Sequence, residues 1–277
     1  MEPLTPVYTA GLFPGLLAEL VRLLRGLDGA DWDRPTVAGA WRVRDVAAHL
    51  LDGDLRKLSW GRDAPAAGDR PALSYGEVMQ LIQRANEAGV SFAGRLSTRV
   101  ITDLLEVTGR WVADYVAALP PHGRALFPVA WAGEDRSENW MDTGREYTER
   151  WHHQMQIRDA VGAPGLLQRE WLYPLLELSV RALPRAYAAV AAETGTAVVL
   201  QVEAEGENTW SLVREDAGWL VYRGAAPDAA ARVRMDADTA WKLLFNALPP
   251  DAARSRVTVT GDDSLAEPML RTRSVMV

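Results

Sequence analysis

The chain contains no cysteine. Disulfide frameworks, thiolate metal sites and cysteine nucleophiles are therefore excluded, and any thiol chemistry must bring its thiol from outside. Long apolar runs are missing too. No window approaches the ~20 residues of a membrane span, and the opening Met1-Glu-Pro-Leu-Thr-Pro6 lacks the basic start and apolar stretch of a signal peptide. Both absences predict a cytoplasmic protein. Basic residues form no cluster: 30 Lys and Arg stand against 37 Asp and Glu, a net charge of −7. With a pI near 5.2, neither nucleic acid nor an anionic membrane is an expected partner, because phosphate rewards clustered Lys and Arg. Gly-x-Ser-x-Gly, phosphate-loop and Gly-x-Gly-x-x-Gly signatures are also absent.

What is present is an ordinary globular composition, 48% hydrophobic and 24% charged, in 277 residues. That length suits one large domain or two small ones. No internal repeat or low-complexity tract interrupts it. The first ~165 residues read as helices. Leu12, Leu16, Leu17, Leu20, Val21, Leu23 and Leu24 form an apolar stripe of helical period. Further helices are expected over 43–60, 75–96, 98–119 and 141–161, that over 75–96 opened by a Ser74/Glu77 capping box. Gly162-Ala-Pro164-Gly165 breaks the pattern.

Beyond that point the pattern changes. A helix over 169–193 leads into strand-like runs at 197–204, 210–214, 219–222, 231–235 and 256–260, with helices at 238–248 and 264–270. The expectation is an α+β two-domain protein. Residues 1–165 form an up-and-down four-helix bundle, and residues 166–277 a small α+β domain.

Two segments carry chemistry. Trp41-Arg-Val-Arg-Asp-Val-Ala-Ala-His49-Leu places His49 on the second helix, and Glu146-Tyr-Thr-Glu149-Arg-Trp-His-His153-Gln places Glu149 and His153 one turn apart on another. Two imidazoles and a carboxylate suit a borderline divalent cation: zinc first, with nickel, manganese or iron as alternatives. Three protein ligands leave a position open for chemistry. Blander readings stand beside this one. His49 can hydrogen-bond Asp45 or Asp52, and Glu149 with His153 can be a surface ion pair. His152 lies 60° from Glu149 on the helical wheel, against 40° for His153, so it competes for the ligand role. Glu149-x-x-His152 also resembles half of a di-iron carboxylate site, but the second motif and further carboxylates are missing. Gln156 shares the Glu149/His153 face and can bind a metal ligand or substrate. His122, in Pro120-Pro-His-Gly, reads as a solvated loop residue. Trp131, Trp140 and Trp151 read as core walls.

The two segments resemble the metal motifs of the DinB-like superfamily, specifically the mycothiol-dependent maleylpyruvate isomerase N-terminal domain, over about residues 8–162. The second half resembles the small sterol-carrier-type domain appended in such proteins. The resemblance implies a divalent ion on His49, Glu149 and His153, a low-molecular-weight thiol such as mycothiol or bacillithiol as cosubstrate, and a small electrophilic substrate. It implies an isomerase or transferase, monomeric or homodimeric, with a C-terminal arginine reaching the site. Arg254 and Arg256 are the candidates. Two other readings use the same residues: a metal-bearing module that binds a small apolar ligand without turnover, and a metal-dependent hydrolase.

Overall fold

In a computed structural model that describes residues 1–63 and 75–275, the chain is α+β, with a helical N-terminal region and a six-stranded sheet that is mostly C-terminal. The long helices are α1 (Phe13–Arg25), α2 (Val43–Lys57), α3 (Tyr75–Ala93), α4 (Thr98–Ala118) and α5 (Asn139–Val161). Ser74, and with it the expected capping box, lies outside the described residues. By Cα packing the chain forms two compact units that interleave in sequence. One comprises Tyr8–Leu126 with Glu146–Gly165; the other comprises Met1–Val7, Phe127–Arg145 and Leu166–Val277.

In the helical unit, the apolar stripe of α1 turns Leu16, Leu20, Val21 and Leu24 inward. Leu20 and Leu24 share a core cluster with Val43, Val46, Ala47, Leu50 and Leu51 of α2, Ile101 and Leu105 of α4, and Ile157 of α5. The α4 helix starts where Ser97 Oγ accepts the Val100 N–H at 3.3 Å. It approaches α1 closely at Gly109, where a Cβ would stand 2.6 Å from Leu17 Cδ1. The α2 helix is three residues shorter than expected. It passes into a π-helical turn, Leu58–Arg62, whose wider winding follows directly on the last α-helical residues.

The other unit holds the sheet, ordered β1-β4-β3-β2-β5-β6. Its strands are β1 (Glu2–Pro3), β2 (Ala197–Glu203), β3 (Thr209–Glu215), β4 (Gly218–Arg223), β5 (Ala231–Asp236) and β6 (Thr258–Gly261). All neighbours are antiparallel except β2 and β5. Five of the six strands follow the alternating runs. The sixth, β1, is two residues long and pairs with Tyr222 and Arg223, too short to leave a period in the sequence.

The helix expected over 169–193 is broken. It comprises α6 (Arg169–Ser179), a 3-10 turn over Val180–Ala182 and a single helical turn, α7 (Leu183–Ala186). Pro184 supplies the reason: it has no N–H to continue a ladder but fits the first turn of a new helix. The helix α8 (Ala237–Leu244) ends early at Phe245, next to Asn246 with φ of 56°. After Pro249, a stretch assigned no element from sequence forms α9 (Pro250–Arg254), and α10 (Asp263–Leu270) closes the fold.

Leu105 has no exposed surface and sits in the centre of the helical core. Leu105→Ala should therefore lower stability by about 2–5 kcal/mol. The effect should appear as a lower urea midpoint at unchanged m-value; a loss under ~1 kcal/mol would contradict this core assignment.

Candidate metal centre

The site begins with the chain's entry into α2. Pro35 bridges Arg42, and the Thr36 hydroxyl donates to the Trp41 carbonyl at 2.7 Å, closing a tight loop. Asp45 Oδ2 then accepts the Arg42 N–H at 2.9 Å and caps the helix. This fixes the Trp41 indole 4.9 Å from the His49 ring, centroid to centroid, and 6.3 Å from that of His153. Trp41, rather than the three tryptophans singled out from sequence, flanks both imidazoles. Trp131 and Trp151 are buried, and Trp140 lies under the Arg181 guanidinium at 5.0 Å.

On α5, His153 Nε2 stands 3.4 Å from Glu149 Oε2, and its Nδ1 is 2.8 Å from Gln156 Oε1. An amide oxygen only accepts, so Nδ1 carries a proton and Nε2 is the atom that faces Glu149. The His49 ring meets the His153 ring edge-on at 4.6 Å. One possible ligand atom from each of His49, Glu149 and His153 falls within 4.8 Å of the others, and among the described residues no other such group of His, Asp or Glu occurs.

His152 turns elsewhere. Its Nδ1 donates to the Thr148 carbonyl at 2.9 Å, although its ring lies 3.9 Å from that of His153. His122 lies in contact with the exposed Tyr8 hydroxyl, 3.1 Å from its Nε2. Arg254 pairs with Asp263 at 2.7 Å and Arg256 with Asp238 at 2.8 Å, all within the sheet unit.

The carboxylates proposed as bland partners of His49 are engaged. Asp45 caps α2, and Asp52 lies 2.8 Å from the Arg56 guanidinium. His49 Nδ1 is buried with no hydrogen-bond partner. A buried polar atom left in this state costs free energy, so it points to a ligand of the site. Burial, reinforced by His153, holds the His49 pKa well below its usual value, while Glu149 opposes the shift. Burial likewise lowers that of His152 to about 3. His49 is therefore neutral near pH 7, the form that donates a lone pair to a metal. Two imidazole nitrogens and a carboxylate oxygen, from His49, His153 and Glu149, fit a divalent ion of the zinc type.

A buried polar network holds α2 against α5. The wholly buried Asp54 takes a hydrogen bond from the Thr108 hydroxyl of α4 at 2.6 Å and from Arg150 of α5 at 2.5 Å. Arg150 also donates to Glu146 at 3.1 Å and stacks 5.6 Å from the Phe13 ring centre. Burial pushes the Asp54 pKa up, and Arg150 and Thr108 pull it back. Sequence offers no signal for this pair, since the partners lie 96 residues apart with no shared motif.

The model of the mycothiol maleylpyruvate isomerase N-terminal domain family matches residues 13–158, more than half of the chain. The chain belongs to that family. No curated protein matches it. Among solved structures, the mycothiol-dependent maleylpyruvate isomerase is similar, with 12% identity, a TM-score of 0.54 and 91% coverage of each chain. A histidine-to-alanine mutant of that enzyme has a TM-score of 0.52 at the same identity and coverage. At this identity the likeness shows a shared fold. A ubiquinone-synthesis protein, UbiJ-SCP2, aligns with 32% of this chain and 71% of its own at 21% identity, but its TM-score of 0.24 establishes no common fold.

Removing one partner of a buried pair leaves the other charge uncompensated. Asp54→Ala should cost about 3–5 kcal/mol of stability in urea unfolding. A loss below ~1 kcal/mol would mean that Arg150 finds another partner and that the pair does not fix the two helices.

Proposed function

We propose that His49, Glu149 and His153 hold one divalent metal, zinc by preference, and that the protein uses a low-molecular-weight thiol of the mycothiol or bacillithiol type on a small electrophilic substrate. The observation that carries this reading is the convergence of His49, Glu149 and His153, with a buried, unpartnered Nδ1 on His49, in a chain of the isomerase family. A metal bound there supplies an open position at which a thiol ionises near neutral pH and becomes nucleophilic. The chain itself has no cysteine to do this.

The protein's own groups prepare the site. Gln156 fixes the tautomer and ring orientation of His153, the usual task of a partner behind a metal ligand. Glu149 contributes the negative charge that offsets part of the cation's. Trp41 covers the imidazoles with an apolar wall and raises the strength of the local field. The reaction class is addition of the thiol to an electrophilic carbon, followed either by its departure after cis–trans rotation or by retention in a transfer product. In this reading Arg254 or Arg256 orients an anionic substrate. The packing of α2 with α3 and α4, and of α1 with α4, supports an up-and-down four-helix bundle as the scaffold. A sterol-carrier-like role for residues 166–277 and a cytoplasmic location belong to the same proposal. No helix among the described residues is long and apolar enough to cross a membrane.

Metal-loaded and metal-free full-length protein, with and without mycothiol, should be assayed against a panel of electrophiles. Turnover that needs both metal and thiol is expected. Turnover without thiol would indicate hydrolysis, and retention of an apolar ligand without turnover would indicate a binding module; either overturns the proposal. In a chelator competition, Gln156→Ala should weaken metal binding about 10–100-fold, His49→Ala should abolish it, and His122→Ala should leave it unchanged.

A further inference from the structure

The face of α2 that carries His49 continues past it with Asp52 and Arg56, which lie within about 60° of His49 on the helical wheel. The proposed chemistry uses neither. Helix side chains lean toward the N-terminus, so the Arg56 guanidinium lies back over Asp52, one turn from His49. Its Nε is 2.8 Å from Asp52 Oδ2, and the two side chains are 18% and 20% exposed. From α3, Asn86 Oδ1 accepts a hydrogen bond from Arg56 Nη2 at 2.7 Å. Gly89 brings the α3 backbone against the carboxylate, since a Cβ there would stand 2.2 Å from Asp52 Cγ. The Trp60 ring centre lies 5.8 Å from the guanidinium carbon. The Arg56 charge is felt at the metal site, where it helps to hold the His49 pKa down.

The pair is held in place but not saturated. His49 Nδ1, Asp52 Oδ2 and Arg56 Nε are all buried without a hydrogen-bond partner, and the 2.8 Å contact of the last two is an ion pair outside hydrogen-bond geometry. Among the described residues, Asp52 Oδ1 and Arg56 Nη1 have no hydrogen-bond partner either. A pair serving only to tie α2 to α3 would spend these atoms on the protein. An unmet donor beside an unmet acceptor selects a group that accepts and donates at once. An amide does both. A carboxylate would meet Arg56 but be repelled by Asp52.

Low-molecular-weight thiols of the proposed type carry their sulfur on a cysteinyl group, whose amides begin three bonds, about 4 Å, from the sulfur. That reach is comparable with the single helical turn, ~5.4 Å, between His49 and the Asp52–Arg56 pair. We infer that Asp52 and Arg56 recognise the cysteinyl amide of the thiol cosubstrate, Arg56 donating to its carbonyl and Asp52 accepting from its N–H. The inference rests on the metal–thiol reading and adds to it the residues that tell an amide-bearing thiol from a simple one. An anionic electrophile is thereby left to other cations.

The test is calorimetric titration of zinc-loaded, full-length protein with N-acetylcysteinamide, N-acetylcysteine and ethanethiol. The wild type should bind the amide about tenfold or more tightly than either of the others. The double variant Asp52→Ala/Arg56→Met removes both charges together, so that neither is left unpaired. It should lower the ratio of N-acetylcysteinamide to ethanethiol affinity about tenfold. Equal affinities in the wild type, or tighter binding of N-acetylcysteine, would overturn the inference without any variant. A double variant that keeps the wild-type ratio would do the same. In each of these outcomes the metal–thiol reading survives, because ethanethiol still binds. Protein that takes up no zinc, or that binds none of the three thiols when loaded, would overturn that reading and this inference with it.

Discussion

The geometry of the candidate site depends on how α2 is held against α5. Asp54, five residues after His49, binds Arg150, the neighbour of Glu149. Thr108 of α4 braces the carboxylate from a third direction. A buried ion pair of this kind is a weak source of net stability, because both charges lose their water. Its value is directional: a slip of either helix would leave two buried charges unpaired. The pair thus sets the register that brings the His49 ring to 4.6 Å from that of His153.

The chemistry of the site follows from burial at the same place. Imidazoles that cannot be hydrated stay neutral, and His49 has no protein acceptor for its buried Nδ1. Gln156 commits His153 to one tautomer, while Thr148 draws His152 away to the backbone. Of two adjacent histidines between which the helical wheel favours His153 without excluding His152, His153 is turned toward Glu149 and His49 and His152 is tied to its own helix. The α5 helix is polar for much of its length yet buried on nearly every side. That combination marks a helix whose side chains serve partners and a site rather than a simple apolar face.

Much of this arrangement was legible in the sequence, for local reasons. Glu149 and His153 are one turn apart on a well-patterned helix, and His49 lies on a second, so their common residue types and spacing announced the cluster. The strands β2 to β6 were legible because alternating runs and turn residues are local signals. What escaped notice was non-local. Asp54 and Arg150 meet across 96 residues, Trp41 reaches the imidazoles only through the loop closed by Thr36, and β1 is a two-residue edge without a period. The Pro184 break divided a stretch whose composition alone favours one helix.

X-ray absorption at the edge of the reconstituted metal tests most directly whether these residues form a thiol-accepting metal centre. The account predicts nitrogen and oxygen neighbours at about 2.0–2.2 Å with the outer-shell signature of two imidazoles, and a new sulfur neighbour near 2.3 Å once mycothiol is added. A spectrum without imidazole scattering, or one in which sulfur never enters the coordination sphere at saturating thiol, would contradict it.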